Sequence, residues 1–183
     1  MYRLIDFVAA LFGLVLAFPI FVVVFVIGLF DTGSPLFFQE RVGKDKKPFT
    51  LVKFRTMSVE TKSVASHLAS QASITKLGSF LRKTKLDELP QLWNVLIGEM
   101  SLVGPRPNLF NQEELIDARD SKNVYSVRPG ITGLAQIQNI DMSTPVKLAK
   151  TDSIMIKKMT LKNYFLYILK TVTGSGAGDA VKE

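Results

Sequence analysis

Every residue from Phe7 to Phe30 is apolar, glycine or proline. No other feature restricts the fold of this chain as severely. As a straight helix the run measures ~36 Å, against a bilayer hydrocarbon core of ~30 Å, so it is long enough to span. It has no polar face to turn to water, which argues against a buried helix of a soluble domain. Its only basic flank is Arg3, the run is long, and no small-x-small site ends it, so a cleaved signal peptide fits poorly. Pro19 lies in the middle of the run. It lacks an N–H and its ring clashes with the Val15 carbonyl, which predicts a kink. Two geometries follow: a bent helix that crosses the bilayer, or one that dips in, turns at Pro19 and leaves by the same side. The following loop carries Arg41, Lys44, Lys46 and Lys47, which places it on the cytoplasmic side.

The chain has 183 residues. Beyond the apolar run, enough remains for one compact domain. There is no cysteine and one histidine, His67. Disulfides, thiolate metal sites, multi-histidine metal sites and a Ser-His-Asp triad are thereby set aside. The net charge is +7. None of the excess sits in the first 31 residues, whose charges are Arg3, Asp6 and Asp31. A basic domain suits anionic partners such as nucleotides, lipid phosphates or an anionic membrane surface. Aromatics are not interleaved with the Lys/Arg clusters, which weighs against nucleic acid.

The pattern predicts an α+β domain, mostly helical. Pro35–Val42 and Phe49–Phe54 are strand-like and flank a turn over 43–48, so a β-hairpin is expected. The polar stretch Ser58–Ser73 reads as a surface loop or short helix. Short helices are expected over Leu77–Thr84 and Leu89–Ile97, the second capped by Gly98. Gln112–Lys122 is helix-prone, and Val124–Gln136 reads as extended turns. One long helix is expected over Pro145–Val172, with Leu161, Phe165, Ile168, Leu169 and Val172 at helical spacing. Lys157, Lys158, Lys162 and Lys170 flank that stripe, which suits either a membrane interface or ordinary core packing. The division expected is 1–31 membrane helix, 32–173 catalytic domain and 174–183 unstructured tail.

Asp87 and Glu88 are adjacent and followed by Pro90. Proline is tolerated only in a helix's first turn, so the pair is placed at a helix N-terminus with Asp87 near the cap. Free N–H groups there favour anions. A capping box or a plain surface acid is the better explanation of a lone Asp-Glu; the company is what matters. Arg82 precedes the pair, Arg106 stands between Pro105 and Pro107, and Arg128 precedes Pro129-Gly130. Rigidly presented guanidiniums grip phosphate oxygens. Carboxylates can hold magnesium or attack phosphorus. These are the parts of a phosphoryl-transfer site.

The block Arg82…Leu86-Asp87-Glu88-Leu89-Pro90-Gln91-Leu92-Trp93-Asn94, running on to Met100-Ser101-Leu102-Val103-Gly104-Pro105-Arg106-Pro107, resembles the bacterial sugar transferases known as monotopic phosphoglycosyl transferases. Phe54-Arg55-Thr56-Met57 and Val127-Arg128-Pro129-Gly130-Ile131-Thr132-Gly133 add to the likeness, which runs from about residue 2 to 172. The resemblance implies transfer of a sugar-1-phosphate from a UDP-sugar to undecaprenyl phosphate at the cytoplasmic membrane face, with release of UMP. It implies Asp87 as nucleophile, Glu88 as its partner in metal and proton handling, and Mg2+ as cofactor held by Asp87 and Glu88. It assigns Arg82 to the lipid phosphate, Arg106 to the nucleotide phosphates and Gln136 to a substrate-side loop; Arg128, presented in the style of Arg106, is counted with the substrate-binding residues. It also implies a re-entrant N-terminal helix broken at Pro19, amphipathic interfacial helices, and a small member without the extra membrane domain of longer relatives. Phe18 stands where the family usually has serine, Ile137-Gln138-Asn139-Ile140 replaces an Asn-Gly-Arg string, and Lys85 replaces a small residue. A UDP-N-acetyl-hexosamine derivative is the expected donor. A non-catalytic, membrane-anchored adaptor for anionic lipid or a partner enzyme is the rival reading. The oligomeric state is not written in the sequence.

Overall fold

A computed structural model describes residues 2–61 and 73–174. Most of the expected loop over Ser58–Ser73 and nearly all of the expected tail fall outside them. The apolar run forms α1, Tyr2–Asp31. The hairpin follows as β1 (Leu36–Val42) and β2 (Pro48–Phe54), antiparallel, with Gln39 opposite Leu51 and Arg41 opposite Phe49. Then come α2 (Lys76–Thr84), a 3₁₀ turn at Leu86–Glu88 and α3 (Gln91–Ile97). Gly98 ends α3 at φ 93°, the left-handed cap expected of it. The fold is α+β and mostly helical, as the sequence predicts.

Three features differ from the sequence reading. First, the segment over Val124–Gln136 is not merely turns. Gly130–Thr132 forms a strand, β4, parallel to β3 at Ser101–Val103. Second, the long C-terminal helix is two. α6 spans Pro145–Lys157 and α7 spans Leu161–Val172. The Thr160 hydroxyl accepts the Asn163 N–H, and Asn163 Nδ2 donates to the Lys158 carbonyl at 2.8 Å. These side-chain caps close one helix and open the next. Third, Pro19 does not interrupt α1, which remains helical across it. Proline removes one i→i−4 bond there, and the bonds on either side carry the helix through. The remaining helices are α4 (Glu113–Asp120) and the one-turn α5 (Leu134–Ile137).

α1 is fastened to the rest of the fold at both ends. Near its start, Arg3 donates to the Val95 carbonyl, and to that of Leu96 at 2.7 Å, satisfying carbonyls at the end of α3. Asp6 is buried, and its Oδ1 accepts from Ser101 Oγ at 3.0 Å, the Leu102 N–H at 2.8 Å and the Tyr164 hydroxyl. Burial, with Asp6 beside it, holds the Tyr164 hydroxyl well above the ordinary phenol range. Near its end, Asp31 accepts from Thr75 Oγ1 at 2.7 Å, and Gly28 lies against Pro35. Between these ends Ala10 packs with Phe49, Leu51, Val95 and Met100, and Val24 with Phe54 and Leu81. The inward stripe includes small residues at Ala10, Gly13, Ala17 and Gly28, and at Gly28 the chain at Pro35 approaches closely.

The opposite side of α1, including Phe12, Val15, Leu16, Phe18 and Val23, is exposed. So are Leu161, Phe165, Leu169 and Val172 on α7, whose Tyr164 stacks on Tyr2 at 5.3 Å. Of the two uses weighed for that stripe, the membrane interface is the one its exposure favours. A helix bound at both ends to one body keeps both ends on that body's side of a bilayer. Cysteines introduced at Leu4→Cys and Lys44→Cys in this cysteine-free chain will therefore respond alike to a membrane-impermeant thiol reagent, in intact cells and in inverted vesicles. Opposite responses would show that α1 crosses.

Candidate active site

The Leu86–Glu88 turn lies between α2 and α3, and three devices fix it. Lys85 adopts φ 59° to close α2 and carries its Nζ to the Thr171 carbonyl of α7. Arg82, in the last turn of α2, donates Nε to Thr56 Oγ1 at 2.9 Å, tying the helix to the chain just beyond β2. Asn94 of α3 accepts the Val52 N–H and donates to the Thr50 carbonyl, which locks α3 to β2. The carboxylates therefore sit one turn before α3, whose cap is Pro90, and not at the helix cap itself. Pro90 has helical φ and ψ, so the chain coils continuously from the 3₁₀ turn into α3. Asp87 is 3% exposed. Glu88 Oε1 accepts from Arg106 Nη2 at 2.8 Å, a half-sheltered, charge-assisted bond.

Arg106 is held more firmly than its two prolines require. Four consecutive carbonyls of its loop are each bonded. Pro105 accepts the Gly130 N–H at 2.9 Å and Arg106 accepts Arg119 Nη1 at 2.9 Å. Pro107 accepts Arg41 Nη1 at 3.0 Å, and Asn108 accepts the Val42 N–H at 2.9 Å. The strands β3 and β4 bring this loop and the Arg128–Gly133 segment together.

Arg41, Lys53, Gln91 and Arg106 line one small cleft. Arg41 and Lys53 are 6% and 8% exposed and project from one face of the hairpin, with Gln39 beside Arg41. Buried cations on an inward strand face call for anionic company. Glu88 is joined to this cluster through Arg106. The sequence reading used Arg41 only as a marker of membrane topology and did not name Lys53. Arg128 goes elsewhere: its Nε donates to the Gly98 carbonyl at 2.6 Å, at the end of α3. It lines a wider cavity of about 430 Å³ with Tyr2, Arg3, Lys44, Met155 and Tyr164. The Gln136 amide, both ends enclosed and without a hydrogen-bond partner among the described residues, lies next to Gly133. Thus Arg106 and Glu88 are in direct contact, Arg82 lies five residues before Asp87 across the left-handed Lys85, and Arg128 and Gln136 belong to the neighbouring β4–α5 segment.

Among the described residues no cluster of three or more Asp, Glu, His or Cys side chains forms a metal cage. Two adjacent carboxylates are instead the donor set for magnesium that completes its shell with water and substrate phosphate. Glu88 Oε2 is not engaged by Arg106. The donor set therefore fits a shared, substrate-completed ion.

A family profile described as bacterial sugar transferase matches residues 1–176. The chain is 36% identical, over 93% of its length, to a UDP-galactose-lipid carrier transferase of Erwinia amylovora. It is 35% identical, over 92%, to an undecaprenyl-phosphate galactose phosphotransferase of Salmonella typhimurium. It is 42% identical, over 74%, to a UDP-glucose:undecaprenyl-phosphate glucose-1-phosphate transferase of Klebsiella pneumoniae. It spans 39%, 39% and 30% of the lengths of these three relatives.

Proposed function

This chain belongs to the bacterial sugar transferase family, and from that premise we propose that it is a phosphoglycosyl transferase of the cytoplasmic membrane face. Its donor is a UDP-sugar, its acceptor is undecaprenyl phosphate, and UMP is released. The observation that carries the reading is the Arg106–Glu88 bond, with buried Asp87 next to Glu88 in the chain and Arg106 shared with a small cleft lined by Arg41 and Lys53. Cations gathered next to the carboxylate pair suit an anionic diphosphate.

In the mechanism proposed, an Asp87 carboxylate oxygen bonds to the sugar-bearing phosphorus. The bridging P–O bond to the uridine-side phosphate breaks, and UMP carries away that oxygen with its electron pair. The sugar phosphate is then held on Asp87 as a mixed acyl phosphate. A phosphate oxygen of undecaprenyl phosphate attacks the same phosphorus, the Asp87–P bond breaks, and the carboxylate is restored. Arg106, Arg41 and Lys53 stabilise charge on the phosphoryl oxygens. Arg82, five residues before Asp87, is assigned to the acceptor phosphate. Magnesium, held by Asp87 and Glu88 together with the donor phosphates, would neutralise charge at the diphosphate. Splitting the transfer in two lets one site serve two bulky substrates in turn.

The exposed apolar faces of α1 and α7 support placing this site at headgroup depth, where an isoprenoid phosphate keeps its charge. A panel of UDP-sugars radiolabelled in the sugar, offered without lipid acceptor, tests the covalent step. One of them should leave hydroxylamine-sensitive label on Asp87 and release an equal amount of UMP. Turnover with acceptor but no label without it would establish direct transfer. No turnover with any sugar nucleotide would favour the adaptor.

A further inference from the structure

We propose that Arg119 is a positioning residue, which sets the Arg106 loop so that its guanidinium faces the Asp87–Glu88 turn. The inference rests on the reading that Arg106 grips the donor diphosphate. Arg119 is on α4, 1% exposed, and its counter-ion Asp152 on α6 is 0% exposed. Nε and Nη2 both donate to Asp152 Oδ2, at 3.1 and 2.8 Å. Nη1 divides between the Arg106 carbonyl at 2.9 Å and Asn108 Oδ1 at 2.8 Å. Two of its acceptors thus belong to the substrate loop. Asn108, fully buried, also accepts the Tyr125 hydroxyl at 3.0 Å on that same oxygen.

A buried ion pair is poor value as a device for stability alone. Desolvation consumes most of its attraction, and an apolar pair of equal volume would join α4 to α6 as well. The cost here is visible, since burial pushes the Asp152 carboxyl above its ordinary range despite Arg119, and Oδ1 has no hydrogen-bond partner among the described residues. The guanidinium adds what an apolar residue cannot: donors in a fixed plane aimed at two points of one loop. Asp152 sets the plane of the fork, and the fork sets the Arg106 carbonyl. With φ of Pro105 and Pro107 fixed by their rings, the direction of the Arg106 side chain follows. Arg119 touches no substrate in this scheme; it acts through Arg106.

The test compares Arg119→Lys, Arg119→Met and Arg106→Ala in the full chain in lipid nanodiscs. Thermal stability is measured, together with steady-state kinetics against the active UDP-sugar. Lysine keeps a cation opposite Asp152 but cannot reach Asp152, Arg106 and Asn108 together. Arg119→Lys should therefore melt near the parent, well above Arg119→Met, yet raise the donor KM about 10- to 100-fold, the scale of an ångström-sized misplacement. The acceptor KM should stay within about twofold, because the loop addresses the donor. Should Arg119→Met fail to fold, Arg119→Lys alone carries the test. A parental donor KM in Arg119→Lys, with that of Arg106→Ala raised, overturns the positioning role and leaves the reading of Arg106 standing. A parental donor KM in Arg106→Ala overturns both.

Discussion

Asp87→Asn lowers sugar-phosphate transfer on the order of 10³-fold or more, as loss of a nucleophile does, whereas Glu88→Gln leaves a slower enzyme with measurable turnover. The amide has the shape of the carboxylate, and Asp87 is buried, so packing changes little and the loss reports chemistry. Glu88 differs because it contacts Arg106. Its amide oxygen can still accept that bond, at reduced strength once the charge is gone. Initial rates of UMP release, with protein matched by circular dichroism, decide the matter. Near-parental rates in Asp87→Asn would remove the covalent mechanism. Equal, complete loss in both variants would show that the pair acts as one unit and not in separate roles.

Gly130→Ala produces a large structural effect. A Cβ at Gly130 would lie 2.0 Å from the Gly104 nitrogen and 2.5 Å from its Cα. Those are backbone atoms, held by the Gly104 N–H to Thr132 O bond at 2.8 Å and the Gly130 N–H to Pro105 O bond at 2.9 Å, so neither side can swing away. Overpacking of this kind costs about 3 kcal/mol, which for a chain this long lowers Tm by roughly 6–12 °C. Gly33→Ala is the control: Gly33 has nothing within 4 Å, and its φ of 71° makes the cost one of backbone strain alone. A melting curve for Gly130→Ala that overlies the parent would refute the close approach of these two segments. A loss of donor affinity larger than the loss of stability would place the damage in the Arg106 loop.

The hairpin, α2, α3 with its Gly98 cap, and α4 were legible because each rests on local rules: alternation, turn residues, helix period and cap. The β3–β4 pair was not. Its strands are three residues each, too short for a period, and the bonds joining them are non-local. The break between α6 and α7 was missed for another reason. Apolar spacing continues through it, and the stop is made by Thr160 and Asn163, common residues whose capping role shows only in the pairing.

The site divides along the same line. Asp87, Glu88, Arg82 and Arg106 stood out through proximity in sequence and through flanking prolines. Arg41 and Lys53 carried a signal for the site that went unused. Strand alternation puts Gln39 and Arg41 on the face of Phe37, and Lys53 on that of Phe49 and Leu51, so polar residues fell where a hairpin turns inward. Arg119 and Asp152 gave no such sign. Nothing local distinguishes either from a solvated charge; only the packing of α4 on α6 reveals them.

α1 contributes to three of the fold's apolar clusters, through Tyr2 and Ile5, through Ala10, and through Phe21, Val24 and Phe25. The apolar helix and the body that carries Asp87 and Glu88 are therefore one cooperative object. Trimming the N-terminal segment cannot liberate a working globule, because it would flood three clusters with water at once. If α1 lies in lipid as proposed, maturation of such a chain awaits a bilayer, which by solvating the outward side of α1 would act as a chaperone for the carboxylates on the other.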